Sequence, residues 1–568
     1  SFQSSSEEEG SDGCPNLTRA EKRALKREIP WRHIEQADID AFVQSTIAEW
    51  AEWIRYSSCR KLNIAQSRMI AKKLILPART CFKWKILADG YSRKAKSRIV
   101  VQGFRDPHLP LLTRDAPVLA RTSFMAILQW AANFNVSVWN ADASSAFLQG
   151  LPDDERPEAI HMKPPKDPIS IQAVPEFAED CLYEISAPVY GQANAPRRWY
   201  MYFVSVLVHL GWERHSLDPC LFLLMLDAIV VAVLGVHVDD IITAILEAYA
   251  AHLDKVRKAF NWGHEWVKDD FIFNGRHVQR RALGGYRLDQ THYIADLSVP
   301  KLTLEDNLPL LDQTGLDTDF RSGTGSLQWV SGMSRPDVSA DTSLLQKPLP
   351  ELTVGDLKEV NRTLKYLKAT ADAFIVINRF EWHDFVLVPY GDASFANAPG
   401  AKSQGALMIV GTSKAALTEP TVASILEWKS HRMKRMLRST LAAEAASQDT
   451  SVDHANFLGC VLSEMIDPEY KAAVRGGESL IPVIPVTDCR SLCDAVHRLA
   501  TSFSEKRTEI DVACLRQTAK RLRWVPTTQQ WADALTKRCC KLRNNLRMRT
   551  MNPIVCLVET VSAEDAEI

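Results

Sequence analysis

The sequence lacks an ordered cysteine framework, although it contains 12 cysteines. No CxxC pair occurs, and no histidine and cysteine set has the spacing of a structural zinc site. Disulfide-rich secreted folds and zinc fingers are therefore not indicated. The pattern favours reduced, mostly buried thiols in an intracellular protein.

The sequence also lacks an excess of charge of either sign, because its net charge is -1. Composition gives no hint of a nucleic-acid partner, so positive charge would have to be concentrated locally. The one candidate for a membrane span is 221–238, but Asp227 interrupts it and its β-branched second half favours two strands and a turn. The N-terminus is polar and acidic, which does not predict a signal peptide, and we expect no membrane partner.

The length of 568 residues allows three or four domains. The Ser/Glu-rich start predicts disorder followed by a basic segment within residues 1–30. We predict a helix over 31–62 and a basic β-hairpin over 72–101 that turns at Asp89-Gly90. A helix is predicted over 123–134 and a Pro-rich loop over 152–175.

Residues 386–540 alternate between strand and helix patterns, which predicts an α/β domain. One of its predicted strands is 481–489. The intervening residues 301–385 have a mixed pattern that includes a helix over 357–370.

The stretch GVHVDDIITA places two neighbouring aspartates, Asp239 and Asp240, between apolar runs. Two adjacent carboxylates repel each other, and a divalent cation would remove that penalty. Asp142 ends another apolar stretch, and beside the pair it would complete a set for two magnesium ions. Spacing does not show that the segments meet, and a solvated hairpin turn is the alternative interpretation.

A series of motifs, in one order along the chain, is similar to the reverse transcriptase–RNase H part of the copia-type LTR-retrotransposon Pol polyprotein. Each motif resembles a family pattern such as KARLVAKGF, DVKTAFLNG, LYGLKQAPRAWY, YVDDLLI or IADILTK. The matching stretches are KSRIVVQGF (96–104), NADASSAFLQG (140–150), VYGQANAPRRWY (189–200), LDPCLF (217–222), HVDDIIT (237–243), GSLQWVSGMSRPDVS (325–339), NRTLKYLKAT (361–370), YGDASFA (390–396), LRSTLAAEAAS (437–447), VTDCRSL (486–492) and WADALTK (531–537).

The resemblance implies a multidomain protein of α+β and α/β class. A right-hand polymerase with fingers, palm and thumb would be followed by a connection and an RNase H-like domain. The implied division is an N-terminal segment (1–30), a reverse transcriptase (31–300), a thumb and connection region (301–385), an RNase H-like domain (386–540) and a C-terminal tail (541–568).

The resemblance also implies roles for residues of the polymerase. Asp142, Asp239 and Asp240 would hold two Mg²⁺ ions, with Mn²⁺ as a substitute. The nucleotide-binding residues would be Lys96 and Arg98 on phosphates, Phe147 as a steric gate against a ribose 2′-hydroxyl, and Tyr190 and Gly191 near the nucleotide and the template base. A solvated basic strand face and plain core packing are the alternatives for Lys96, Arg98 and Phe147.

A second two-metal site is implied in the RNase H-like domain, where water would attack the RNA strand of a hybrid. Taken singly, each acid of this site also fits a cap or a surface position. The implied metal ligands and catalytic residues are Asp392, Glu444, Asp488 and Asp533.

The implied partners are an RNA template, a DNA primer and product, an RNA–DNA hybrid and dNTPs. The implied location is intracellular, in a cytoplasmic virus-like particle, in the nucleus or in both. No DTG or DSG protease motif and no HHCC zinc set occurs, so we expect the protease and integrase parts to be missing or separated. The basic run 537–549 could contact phosphates or form a solvated helix.

The chain also departs from the family pattern. His237 replaces the usual Tyr, residues 192–194 replace Leu-Lys-Gln, and Ala442 replaces a Glu. An alternative is therefore a catalytically inactive or domesticated remnant that binds nucleic acid. The oligomeric state is not predicted.

Overall fold

The computed structural model describes residues 28–86, 92–152, 156–498, 503 and 505–557. Most of the predicted N-terminal disorder and the predicted Asp89-Gly90 turn lie outside the described residues. The described residues mix helices and β-sheets along the whole chain, which confirms the α+β and α/β multidomain class. They cluster in two compact units, of which the first comprises 1–117 with 143–207 and the second comprises 118–142 with 208–568.

The strands are numbered in chain order. They are β1 Cys59–Lys61, β2 Ile75–Ile86, β3 Arg93–Val101, β4 Val138–Asp142, β5 His161–Lys163, β6 Tyr183–Ile185, β7 Trp212–Arg214, β8 Leu221–Leu226, β9 Ile229–His237, β10 Asp240–Ile245, β11 Val267–Lys268, β12 Asp270–Phe273, β13 Arg276–Arg280, β14 Tyr286–Asp289, β15 Ile375–Ile377, β16 Phe385–Ala398, β17 Lys402–Ser413, β18 Thr421–Arg432, β19 Val486–Thr487, β20 Arg523–Trp524 and β21 Ile554–Val555.

The α-helices are numbered in the same way. They are α1 Ile39–Arg55, α2 Ile64–Met69, α3 Arg121–Asn133, α4 Pro168–Ala173, α5 Ala195–His209, α6 Ala251–Ala259, α7 Thr291–Ala295, α8 Leu316–Met333, α9 Ser339–Leu344, α10 Val354–Ala369, α11 Thr440–Ile466, α12 Arg490–His497, α13 Lys506–Thr518 and α14 Cys540–Met551.

The sheet of the first unit has the strand order β1-β6-β5-β2-β3. β2 and β3 pair antiparallel over their length, which confirms the predicted basic hairpin. The single helix predicted over 31–62 is wrong at both ends. α1 ends at Arg55 because Ser57 takes a positive φ of 50°, and the chain then enters β1, which pairs with β6.

The predicted Pro-rich loop over 152–175 is also partly wrong. β5 pairs parallel to β2, and α4 follows within the same stretch. The Asp167 side chain accepts a hydrogen bond from the Ser170 backbone N–H, and Pro168 occupies the first turn of α4. This Asp-Pro pair is a helix-start signal, since aspartate caps the free N–H groups and proline fits the first turn.

The second unit contains a sheet with the order β11-β4-β10-β9-β8-β7. The stretch considered as a membrane span forms β8 and β9, joined by Asp227 and Ala228 with φ of 52° and 59°. Two successive positive φ angles suit a tight turn between paired strands. In the part of the chain that the structure describes, no helix is both long and apolar enough to cross a membrane.

A second sheet of this unit has the order β12-β13-β14-β15. The third sheet has the order β20-β19-β16-β17-β18-β21, in which β19 runs parallel to β16 and β18 runs antiparallel to β17. The predicted strand over 481–489 is reduced to β19, since Pro482 and Pro485 have no N–H group for a ladder. β21 extends this sheet beyond residue 540, although only a tail is predicted there.

Candidate active sites

The first carboxylate group lies at one end of the sheet that contains β4, β9 and β10. Asp240 pairs with His237 across a two-residue turn and with Asp142 on the other neighbouring strand. Directly opposite residues in antiparallel strands bring their side chains together on one face. The structure therefore brings together Asp142 and Asp240, two of the three acids predicted for this site, and Asp239 lies in the turn beside them.

The turn itself has an unusual backbone. Val238 has a φ of 63°, in the left-handed region that β-branched residues rarely adopt. Such strained positions persist where the surrounding structure holds them, and they cluster at functional sites. The following residue, Asp239, is exposed, so its carboxylate is accessible to a ligand.

The Asp240 carboxylate is held by neutral donors. Asn140 Nδ2 donates to Asp240 Oδ1 at 2.5 Å and to the carbonyl oxygen of Ile241 at 2.9 Å. The backbone N–H of Asn274 donates to the Asp240 carboxylate as well. Burial nevertheless raises the pKa of Asp240, the nearby Asp142 and Asp239 act in the same direction, and the result is a pKa of about 7.

Sequence reasoning missed Asn140 and Asn274. Asn140 precedes Asp142 by two residues, and in a strand this spacing places both side chains on one face. Asn274-Gly275 is a strong hairpin signal between β12 and β13. Asn274 Nδ2 also donates to His237 Nε2 at 3.2 Å, so the departure from Tyr at residue 237 has a defined partner.

The predicted nucleotide-binding residues belong to the first unit, and three of them contact one another. The Arg98 guanidinium lies 3.9 Å from the centre of the Tyr190 ring. The rings of Phe147 and Tyr190 have centroids 5.6 Å apart. Tyr190 is buried with 6% exposure, so core packing accounts for part of this cluster.

Lys96 and Gly191 flank this cluster. Burial lowers the pKa of Lys96, Arg98 lowers it further, and Glu49 opposes both effects. Gly191 has a φ of 96°, and a Cβ added there would come 2.0 Å from the carbonyl oxygen of Val101. Glycine is therefore required at residue 191 for the chain to approach β3 this closely.

The second carboxylate group forms around β16 and β19. These parallel strands pair at Tyr390 and Val486, so Asp392 and Asp488 each lie two residues beyond a shared pair. Helix α11 packs tightly on β16, because the Ser447 hydroxyl donates to the carbonyl oxygen of Asp392 at 2.7 Å. Glu444 lies one turn earlier on the same helix and therefore joins the two aspartates.

The acids of this group perturb one another. Burial raises the pKa of Glu444, the carboxylates of Asp392 and Asp488 act in the same direction, and the result is a pKa of about 9. Burial likewise raises the pKa of Asp392 to about 6, against the hydrogen bond from Thr536. Glu444 Oε2 is buried and has no hydrogen-bond partner among the described residues. A buried oxygen without a donor is a position at which a cation would be favourable.

Asp533 lies in a short 3₁₀ helix, Trp531–Leu535. Its carboxylate forms an ion pair with Lys537, which ends the WADALTK motif and begins the basic run 537–549. Thr536 Oγ1 donates to Asp392 Oδ2 at 2.6 Å. This segment therefore connects Asp533 to the other acids of the group.

Both groups consist of carboxylate oxygens, the ligands that Mg²⁺ prefers. No group of three or more His, Cys, Asp or Glu side chains among the described residues is gathered closely enough to hold a metal ion. The chemistry of the donors and the unpartnered Glu444 oxygen fit divalent cations. Closer approach of the carboxylates would be needed to complete a ligand set.

Residues 70–311 match the family model described as reverse transcriptase (RNA-dependent DNA polymerase). The chain is 26% identical over 489 residues to the retrovirus-related Pol polyprotein from transposon RE2 of Arabidopsis thaliana, and 25% identical over 492 residues to the one from transposon RE1. Each alignment covers 82% of this chain and 31% of the relative. Residues 70–311 are therefore similar to the reverse transcriptase region of copia-type retrotransposon Pol polyproteins.

The matched residues include the first carboxylate group and all the predicted nucleotide-binding residues. The chain spans about a third of the length of the two Arabidopsis relatives. A solved structure of the foamy viral protease-reverse transcriptase dRH in complex with double-stranded DNA is a more distant likeness. Its TM-score is 0.48 at 13% identity, over 88% of this chain and 71% of that one.

Proposed function

We propose that this chain copies RNA into DNA and degrades the RNA strand of the resulting hybrid, with a two-metal site for each reaction. The observation that carries the polymerase half is the pairing of Asp142 with Asp240 beside the exposed Asp239. The family match of residues 70–311 supports the same reaction class. The proposed substrates are an RNA template, a DNA primer and dNTPs.

In the polymerase, Asp142, Asp239 and Asp240 would supply the ligands for Mg²⁺. When bound, Mg²⁺ would lower the pKa of the primer 3′-hydroxyl and neutralise charge on the triphosphate. Asn140 keeps the Asp240 carboxylate oriented by its 2.5 Å hydrogen bond. Lys96 and Arg98 are proposed to meet the nucleotide phosphates, and Phe147, with Tyr190 and Gly191, to shape the sugar and base site.

In the second group, Asp392, Glu444, Asp488 and Asp533 would hold the ions that activate water against the RNA strand. The support is the convergence of strand, helix and 3₁₀ segment on one set of acids, with Glu444 Oε2 buried and lacking a donor. Selectivity for a hybrid would depend on contacts with the 2′-hydroxyl and on groove shape. We propose an intracellular location, in a virus-like particle, in the nucleus or in both.

A primed RNA template tests the polymerase half. Purified chain should incorporate dNTPs with Mg²⁺ or Mn²⁺, and Asp239→Asn and Asp240→Asn should each abolish incorporation while leaving hybrid binding largely intact. Incorporation that survives Asp240→Asn would contradict the assignment. A labelled RNA strand in a hybrid tests the second half, since cleavage should be lost in Glu444→Gln and in Asp488→Asn.

A nucleic-acid-binding remnant without catalysis is the second candidate function. The observation that favours it is that the acids are not gathered into a metal-holding group among the described residues. The same assays separate the two, because a remnant would bind the hybrid but neither extend nor cleave it across a range of Mg²⁺ and Mn²⁺ concentrations.

A further inference from the structure

A polar groove of about 630 Å³ lies in the second unit, between helices α8 and α9 and the C-terminal end of β18. We call it the β18 groove. Its volume lies in the range of pockets that bind small ligands, so it can admit one nucleotide unit but not a duplex. It is distinct from both carboxylate groups, since it contains none of their acids.

The charge of the β18 groove is of one sign. Its lining includes three cations, Arg121, Lys429 and Arg432, and none of the described residues that line it is an aspartate or glutamate. Glu427, the neighbouring carboxylate on β18, is buried, and its Oε1 lies 2.7 Å from His454 Nδ1. The groove therefore carries positive charge without an anion in its lining, which favours an anionic ligand.

Arg121 is fixed in place at one end of the groove. Its Nη1 and Nη2 donate to the carbonyl oxygens of Gly332 at 2.7 Å and Trp428 at 2.8 Å. These neutral acceptors hold the guanidinium without cancelling its charge. Lys429 is exposed, and no ion pair of its ammonium group is found among the described residues.

The hydroxyl group of Ser343 adds a hydrogen-bond donor to the groove, and that of Ser430 ties the groove to a neighbouring segment. Ser343 Oγ accepts a hydrogen bond from Gln404 Nε2 at 2.7 Å, which leaves the Ser343 proton for an acceptor. Ser430 Oγ accepts from the same amide at 2.9 Å and donates to the carbonyl oxygen of Leu535 at 2.6 Å. Serine hydroxyls and cations together are the usual partners of nucleic-acid phosphates.

The bond to Leu535 places the groove beside the second carboxylate group. Leu535 is two residues from Asp533 in the same 3₁₀ helix. A strand that reached these acids would therefore have neighbouring phosphates within reach of β18. Cations beside the acids would also offset their repulsion of a phosphate backbone.

We propose that the β18 groove binds a phosphodiester unit of a nucleic-acid strand next to the nucleotide at the second carboxylate group. The identity of the strand rests on the proposed hybrid cleavage, whereas phosphate binding by the groove does not. Lys429 and Arg432 would each neutralise one phosphate, Ser343 would donate to a phosphate oxygen, and Arg121 would supply fixed charge.

Fluorescence anisotropy with an 18-base-pair labelled RNA–DNA hybrid tests phosphate binding by the groove. EDTA removes divalent cations, so that binding is measured without cleavage. The double variant Lys429→Gln and Arg432→Gln should raise the Kd about tenfold near 0.1 M salt. It should reduce the slope of log K against log salt by about 1.8, at roughly 0.9 for each phosphate lost. The matched control is Lys365→Gln with Arg379→Gln, two exposed cations outside the groove, and it should change neither quantity.

An unchanged Kd and slope in a groove variant that melts like the parent would overturn the proposal. An equal loss in the control would overturn it too, because the effect would then be general charge. In a cleavage assay the groove variant should raise KM and keep kcat. Absence of cleavage by the parent would count against the proposed second reaction only, since the anisotropy result stands without it.

Discussion

The two carboxylate groups are built in different ways. The first depends on local structure, because a two-residue turn presents Asp239 and Asp240 and one neighbouring strand adds Asp142. The second combines residues from distant elements, and Asp392 and Asp533 are buried with 4% and 6% exposure. A hairpin can present acids to solvent, whereas acids buried between elements need compensation within the fold.

The cations near the two groups differ accordingly. Lys537 forms an ion pair with Asp533 in the second group. Near the first group, Arg276 is 2% exposed and packs 3.5 Å from the centre of the Phe124 ring, with no carboxylate partner among the described residues. Burial lowers the pKa of Arg276 to about 9. Each group thus has a buried or partly buried cation nearby, but only the cation of the second group forms an ion pair with a carboxylate.

The largest expected effect is a reciprocal loss of the two reactions. Asp142→Asn should lower nucleotide incorporation at least about 1000-fold and leave hybrid cleavage within about twofold, and Asp392→Asn should do the reverse. Each change removes one anionic ligand without altering size. Parallel incorporation and cleavage assays on each variant measure the two reaction rates. If either substitution abolished both reactions, the two groups could not be treated as separate sites.

A smaller effect is expected from Arg276→Met. Replacing a buried, unpaired cation by an apolar side chain should raise the free energy of unfolding by about 1–3 kcal/mol. Urea unfolding measures the change, and Arg321→Met, at an exposed arginine of α8, is the control. A clear loss of stability in Arg276→Met would mean that the guanidinium has a stabilising partner. Arg276 would then not differ from Lys537 in lacking one.

The smallest effect concerns the pH dependence of stability. Burial raises the pKa of Glu444 from 4.5 to about 9, so the folded state binds this proton more tightly than the unfolded chain does. Its contribution to stability is full below pH about 4.5 and is lost as pH rises towards 9. In EDTA at pH 8, the free energy of unfolding of Glu444→Gln should therefore exceed that of the parent by about 1 kcal/mol, which raises its melting temperature. At pH 4 the two proteins should be equally stable.

The exposed Glu478→Gln is the control for that measurement. Mg²⁺ should reduce or reverse the advantage of Glu444→Gln, because the parent gains a ligand for the ion. Equal melting temperatures of parent and variant across this pH range would show that the Glu444 carboxyl is not destabilised by burial.

Local signals in the sequence were enough for the Asp239–Asp240 hairpin and for much of the secondary structure. Apolar runs around Asp239 and Asp240 predicted a hairpin, and the structure has β9 and β10 there. The pairing of Asp142 with Asp240 could not be derived from spacing, since register between distant strands depends on tertiary packing. The family resemblance supplied that step.

The second group was harder to derive. The shared register of β16 and β19 and the ion pair between Lys537 and Asp533 arise only when strands far apart in sequence meet. Proline explains one error, since Pro482 and Pro485 break the hydrogen-bonding pattern of an otherwise apolar stretch. The division into domains stays a prediction.

The short strand β21 has a practical consequence for anyone who shortens this chain. It pairs with Thr421 and Val422 at the start of β18, and so covers part of an outer strand of the third sheet. An uncovered strand edge offers free N–H and C=O groups to other molecules and promotes self-association. A C-terminal fragment prepared for expression should therefore extend past Val555, because a fragment that ends at residue 540 would lack β21 and expose the edge of β18.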